Sequence, residues 1–388
     1  MKRRNHIGIV FFLALELFIS MSAGAQIGSA FEPEWPQNRQ DVAGKKLGGV
    51  SVSIPGNAAN VMGNPANLAS IDHRTIFFSL VNTQNNFVFN DLYAKNETTL
   101  DWHQGLKPGY CAISWPFRSF GKKWVIAASY NGVHWPEFDE RYVSDNSNLF
   151  NFSFGKKGHS RSLSLGIATK PISKISVGMG LTNWFGKTNW RYEGFGNGSC
   201  NSSSQGLHAG VNGQFGRLSV GSVFYFPHQL MTCTSNSTGW GTNYSLSLSK
   251  DFNGAVEVGV GYSLSTRLTI ALGYGYQRGF DFITKTRDWQ ATDKQSKSAK
   301  LSGGFQYESR FRHAVFPIYF GYRIVWPSKK KINLPPGYFS ISSSDKESFR
   351  KELLFGASYK YKSTEFYFDT KWTASSFHIS ERALPPWS

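Results

Sequence analysis

The chain has 388 residues, of which 16% are aromatic and 39 are glycine, and its mean hydropathy of −0.33 makes it polar on average. Its formal charge is +17, and its three cysteines are too few for a disulfide framework or a cysteine-built metal site. Beyond the first residues no window approaches the about 18 uninterrupted apolar residues of a membrane helix, which excludes a bundle of membrane-spanning helices and leaves a soluble protein, such as a β-sandwich, or a transmembrane β-barrel, whose alternating walls average out as hydrophilic.

Lys2, Arg3 and Arg4 open the chain, an apolar run broken by Glu16 covers residues 7–20, and Ala23-Gly24-Ala25 offers a small-x-small cleavage site before Gln26. This is the pattern of a secretory signal peptide over residues 1–25, with a retained N-terminal anchor as the alternative. The run is short for a spanning helix and carries an acid, which weighs against the anchor. No Cys follows the site, which argues against a lipid-modified N-terminus. Export argues against nucleic acid as the partner of the positive charge, leaving solvated loop charge, acidic polysaccharide or the anionic headgroups of outer-membrane lipids.

Residues 26–72 alternate poorly. They hold Glu32-Pro33-Glu34-Trp35-Pro36, Gly48-Gly49 and a run of small residues over 58–69, in which Pro65 cannot donate to a ladder. Such a stretch suits a segment folded inside a barrel lumen or at its mouth; a disordered leader is the alternative.

From residue 73 to 388 the chain breaks into segments of about ten residues with period-two patterning, the length of a tilted membrane strand. The first candidates are residues 75–83, 109–115, 124–133 and 149–154. Within the third, Asn131-Gly132 precedes Val133-His134-Trp135-Pro136, which marks either a bend or an ordinary strand end followed by a loop. The clearest hairpin follows: Leu163, Leu165 and Ile167 alternate with Ser164, Gly166 and Ala168, and beyond Pro171-Ile172-Ser173 the residues Ile175, Val177, Met179 and Leu181 alternate with small or polar ones. The same design recurs over residues 207–226 and 255–276, with further strands at 243–248, 301–307, 315–325, 353–361 and 365–372. Residues 185–204, 227–242 and 278–298 form longer connections rich in Asn, Gly, Ser or charge. Short turns alternating with long loops are the rhythm of an antiparallel transmembrane β-barrel, here of about 12–14 strands, an all-β fold without a second globular domain.

Cys200 and Cys233 fall in successive long connections, hence on one side of the barrel, and export permits their oxidation, so they are a candidate disulfide. Cys111 reads as a small wall residue. The nine His show no pair at ligand spacing, no cofactor motif is present, and no nucleophile motif stands out; Asp139-Glu140 reads as a solvated pair. Neither a metal nor an enzyme activity is expected.

Asn64-Pro65-Ala66-Asn67-Leu68-Ala69 resembles the N-terminal Asn-Pro-Ala motif of the FadL/OmpP1/TodX family of outer-membrane transporters for long-chain fatty acids and aromatic hydrocarbons. Residues 256–274, 218–227 and Pro317-Ile318-Tyr319-Phe320-Gly321-Tyr322-Arg323 resemble segments common in the same family, so the likeness spans most of the mature chain. The resemblance implies a porin-like barrel in the outer membrane of a Gram-negative bacterium. It implies passive transport of a hydrophobic small molecule past a hatch formed by residues 26–72, with Asn64, Pro65 and Ala66 at the motif. In that family the third strand kinks inward and opens a lateral hole; the matching residues here are Tyr130, Asn131, Gly132, Val133 and Trp135. A barrel's last strand usually ends in an aromatic residue, whereas Trp372 precedes a tail ending Leu384-Pro385-Pro386-Trp387-Ser388, so either residues 376–383 belong to the closing strand or the assembly signal is atypical. A related branch serves type IX protein secretion and shares the Asn-Pro-Ala start, which keeps an interaction barrel that binds secretion-system proteins as the alternative.

Overall fold

The computed structural model describes residues 50, 52–53, 58–90, 97–142, 152–192, 196–237, 244–278, 280–285, 290–294, 298–311, 314–326, 350–361 and 364–375. The signal segment 1–25, most of 26–57 and the tail 376–388 lie outside the described residues.

Described residues form a single 17-stranded sheet. In chain order the strands are β1 (Thr75–Asn90), β2 (Glu97–Ser119), β3 (Lys122–Tyr142), β4 (Phe152–Ile172), β5 (Ile175–Tyr192) and β6 (Gly196–Phe215). Then come β7 (Leu218–Tyr225), β8 (His228–Ser237), β9 (Tyr244–Phe252), β10 (Ala255–Ser263), β11 (Leu268–Gln277) and β12 (Phe280–Lys285). The last are β13 (Gln290–Lys294), β14 (Ser298–Phe311), β15 (Ala314–Trp326), β16 (Arg350–Tyr361) and β17 (Thr364–Ser375).

Four interruptions are breaks within a wall strand rather than turns. Both β7 and β8 pair with β6, so they are one strand parted at Phe226-Pro227, where Pro227 has no N–H to give. Likewise β9 continues into β10 across Gly254 (φ 94°), β11 into β12, and β13 into β14. With these four breaks merged, the 17 strands become thirteen wall strands, within the expected range. From β1 to β17 successive neighbours pair antiparallel, and Ile76 to Ser79 of β1 run parallel to Thr364 to Tyr367 of β17. An odd number of up-and-down strands leaves the first and last pointing the same way, so the seam is parallel.

Period-two patterning sets which face goes where. On β2 to β6 one register row reads Ile113, Ala128, Leu165, Leu181 and Leu207, all pointing outward. The intervening Ser114, Ala127, Ser164 and Thr182 point inward and are buried. Outward Leu165 is 55% exposed and Leu272 67%, whereas inward Ser164 is fully buried, the reverse of a soluble domain and the mark of a lipid-facing wall. Tight turns sit at one end: Phe120 and Gly121 both have positive φ (54° and 68°), the conformation a two-residue hairpin needs.

At the other end the strands outrun the sequence expectation. Residues assigned from composition to long connections, 185–204 and 227–242, are largely the ends of β5 and β6 and all of β8. The core lies within the barrel, where residues 58–71 pack against Phe77, Tyr110, Ala112, Val125, Ala127, Ala168 and Tyr319 of the wall.

Candidate functional site

Residues 58–71 form two short 3-10 turns, Ala58–Val61 and Pro65–Ser70, and 58–69 are all buried. Local chemistry explains the second turn. The Asn64 side-chain oxygen accepts from the Ala66 N–H at 3.1 Å, and Pro65 holds the first helical position with a preset φ. The Asn64 amide donates to the Val52 carbonyl at 2.7 Å and to the Val211 carbonyl of β6 at 3.0 Å. One side chain therefore shapes the turn and ties it to the wall. Asn67 adds a second bond to the Val52 carbonyl at 3.2 Å. Two wall residues reach inward: Tyr110 donates its hydroxyl to the Ala59 carbonyl at 3.3 Å, and His208 Nε2 lies 2.8 Å from the Val61 carbonyl. A carbonyl only accepts, so Nε2 carries the proton of that imidazole.

The wall is hollowed to receive this segment. A Cβ on Gly178 of β5 would lie 2.6 Å from the backbone of Pro65 and Ala66. One on Gly210 of β6 would overlap the Asn64 amide oxygen, and one on Gly221 of β7 the Val52 carbonyl. Gly178 and Gly210 are register partners, so the Asn-Pro-Ala backbone lies on adjoining bare patches of sheet. Towards the long-loop end, Trp184 stacks on His228 with ring centroids 5.0 Å apart, and His228 meets Phe252 at the same separation.

Another feature is an edge. Over the described residues the β2–β3 ladder runs from Ser119↔Lys122 to Tyr110↔Asn131 and ends there. Both strands continue: β2 pairs with β1 as far as Glu97, and β3 pairs with β4 as far as Tyr142. Pro108 and Gly109 lie on β2 where pairing stops, opposite Gly132 on β3; proline supplies no donor and glycine little stiffness. Tyr130 is on the outer face (40% exposed) and Asn131 on the inner. Gly132, Val133 and Trp135 continue the register with β4, whose irregularity falls later, between Trp135 and Phe138. The discontinuity expected at Asn131-Gly132 is thus on the β2 side of the strand, not a break in the strand.

Farther round the lumen, Glu257 of β10 and Lys300 of β14 form a buried ion pair at 2.5 Å. Each is the register partner of Gly275 on the intervening β11, whose missing side chain leaves room for them to meet. Arg323 and Gln277 are buried on the same inner face. Cys200 of β6 and Cys233 of β8 are direct register partners. Cys111 is exposed on β2.

Of the residues singled out from sequence, Asn64, Pro65 and Ala66 come together on the glycine patches, and Tyr130 and Asn131 stand at the end of the β2–β3 ladder. Sequence reasoning missed Gly178, Gly210, Gly221 and His208 as their counterparts, and missed Pro108-Gly109; a proline followed by glycine within a strand pattern was the available signal for the last.

No family model matches the chain, and no curated protein matches it. Among solved structures the chain is similar to a FadL homologue of Pseudomonas aeruginosa, at 12% identity over 87% of this chain and 90% of that one, with a TM-score of 0.56. It is also similar to the toluene transporter TodX of Pseudomonas putida (12% identity, 82% and 88% covered, TM-score 0.51). A third is the CymD monoaromatic hydrocarbon channel (13% identity, 88% and 95% covered, TM-score 0.50). At these identities the likeness is one of architecture: the chain has the fold of the FadL-like transmembrane β-barrels.

Proposed function

We propose that the chain is an outer-membrane channel of a Gram-negative bacterium that passes hydrophobic small molecules, of the fatty-acid or hydrocarbon type, by passive diffusion. In this reading residues 1–25 are removed on export and residues 26–72 form the hatch, seated through Asn64, Pro65 and Ala66. The observation that carries the reading is the β2–β3 ladder ending at Tyr110↔Asn131 while both strands continue. Unpaired backbone at membrane depth is tolerable only beside a cavity or opening. An opening there, bordered by Tyr130, Asn131, Gly132, Val133 and Trp135, gives an apolar solute a side exit into the bilayer. Such a solute gains about 25 cal/mol per Å² of apolar surface removed from water, so a greasy lumen and a lateral exit need no energy source. The transporters and channels of similar fold support this class of cargo and suggest no enzyme.

The test closes the edge reversibly. Gly109 and Gly132 would be the next register pair, so Gly109→Cys/Gly132→Cys in a Cys111→Ser background staples β2 to β3 when oxidised. Uptake of a labelled fatty acid or toluene should fall at least tenfold on oxidation and return on reduction, while the Gly132→Cys single variant is insensitive. Normal uptake through the fully cross-linked barrel refutes the lateral route. Normal uptake with mislocalised exported proteins favours the secretion-system alternative.

A further inference from the structure

The outer face of the barrel is not uniformly packed at the short-turn end. In the row Ile113, Ala128, Leu165 and Leu181, Ala128 is small between two large neighbours. The next row towards the turns, Trp115, Ile126, Ile167 and Met179, has no such gap. Together they form an apolar groove of about 620 Å³ on the lipid-facing wall, with Ala127, Gly166 and Gly180 contributing little bulk beneath it. Ile113, Trp115, Ile126 and Met179 on its rim are each between 45% and 51% exposed, so the groove opens outward and not into the lumen.

Positive charge gathers at the turn end of this groove. The Arg74 guanidinium lies 3.3 Å over the Trp115 ring, and Lys122 opens β3 at the adjoining β2–β3 turn. Ser119, the register partner of Lys122, is four residues beyond Trp115 on the same face, about 13 Å along an extended strand. The neighbouring turns repeat the sign, with Lys170 and Lys174 beside the β4–β5 turn, Arg217 in the β6–β7 turn and Arg267 in the β10–β11 turn. Among the described side chains at this end only Asp72 and Glu308 are acidic, and they pair with Lys123 and Arg310.

We propose that this groove is a binding site for an anionic diacyl phospholipid of the periplasmic leaflet. One acyl chain lies over Ala128 between Ile113 and Leu165, and the phosphate meets Arg74 and Lys122. The site rests on the outer-membrane reading, which puts the short turns on the periplasmic side. Charge complementarity selects this occupant: a cation near a membrane surface favours anionic over zwitterionic headgroups by roughly fivefold. Trp115 is built into the site as a reporter, placed at the interfacial depth where tryptophan concentrates.

The test reconstitutes the full barrel into vesicles of phosphatidylethanolamine containing one tenth brominated phosphatidylglycerol, or one tenth brominated phosphatidylethanolamine. The Trp115 signal is taken as the difference between the wild type and Trp115→Phe. Quenching by the anionic lipid should be at least threefold stronger than by the zwitterionic one. The preference should vanish in Arg74→Gln/Lys122→Gln and persist in Arg217→Gln/Arg267→Gln. Ala128→Leu, which fills the groove and leaves every charge in place, should weaken quenching by both lipids. Equal quenching in the wild type, or the same loss in both charge variants, overturns the site in favour of diffuse attraction. A chain that inserts into neither bilayer overturns the barrel reading and the site together, an outcome told apart by flotation of the vesicles.

Discussion

Replacing Asn64 by alanine should loosen the inner segment without loosening the barrel. The substitution removes the bond that shapes the second turn, Ala66 N–H to the Asn64 side chain, and both bonds from the Asn64 amide to the Val52 and Val211 carbonyls. Val52 keeps its bond from Asn67, so the main debts are a buried Ala66 N–H and a thinned contact with β6. An orphaned buried donor costs about 1–3 kcal/mol and each lost bond about 1 kcal/mol net, which puts the loss near 3 kcal/mol. That is roughly a hundredfold rise in the population of the unseated segment, at 1.4 kcal/mol per tenfold. The wall ladders are untouched, so heat-modifiable gel mobility should match the wild type. Hydrogen exchange of the Ala66 and Asn67 amides in the folded barrel measures the effect directly. Gly210→Ala attacks the same contact from the wall, because its Cβ would overlap the Asn64 oxygen, and should produce the same loss of protection. Unchanged protection in both variants, with the barrel folded, would refute the seating argument.

Further outcomes follow from other contacts. Cys200 and Cys233 are register partners in the β6–β8 ladder, and directly paired strand residues have Cα separations of about 4.5–5.5 Å, inside disulfide range. Non-reducing peptide mapping of the exported protein should therefore recover them as one cross-linked pair, and two free thiols would end the proposal. Lys300→Met should destabilise the barrel by about 3–5 kcal/mol by leaving the buried Glu257 carboxylate without its cation, while Lys300→Met/Glu257→Leu should recover most of that loss in urea unfolding. Lys123 beside Asp72 holds its carboxyl below the ordinary value, so the tie is present at neutral pH and is lost as pH falls through that lowered value. Because Asp72 is largely exposed the effect is small, and it should show as faster exchange of the neighbouring Ile71 and His73 amides in acid, absent from Asp72→Asn.

What was legible in the sequence is what lipid imposes. Where one face of a strand meets hydrocarbon and the other the lumen, apolar and small residues must alternate, and that alternation alone shows β10, β11 and the turn-proximal halves of β4 and β5, whereas the far half of β4 reads as a separate strand over 149–154. Beyond the apolar belt the constraint lapses. The distal half of β6, Gly196-Asn197-Gly198-Ser199-Cys200-Asn201-Ser202-Ser203-Ser204, is strand by pairing yet has no apolar face, so it reads as a loop. For the same reason Cys200 and Cys233 could be placed on one side of the barrel but not in register, because register in a strand with two polar faces is written in the partner and not in the strand itself.

The inner segment exposes a different limit. Asn64-Pro65-Ala66 is legible because its likeness to a family motif and the missing ladder donor of Pro65 are local signals, complete within a few residues. Its seat is not, because Gly178, Gly210 and Gly221 occupy ordinary inward positions of an alternating strand, where glycine, serine and alanine serve equally well unless something presses against them. Only the approach of the Pro65, Asn64 and Val52 main-chain and amide atoms makes glycine obligatory there. The same logic separates the two sides of β3. Its pairing with β4 is set by alternation and runs on past Gly132, whereas its parting from β2 depends on what Pro108-Gly109 withholds from the facing strand. A Pro108→Val/Gly109→Ser variant restores a donor and a side chain to that edge, so it should extend the β2–β3 ladder beyond Asn131 and protect the Val133 amide from exchange. If the edge is the exit route, uptake should fall as that protection rises; rising protection with unchanged uptake would detach the open edge from transport.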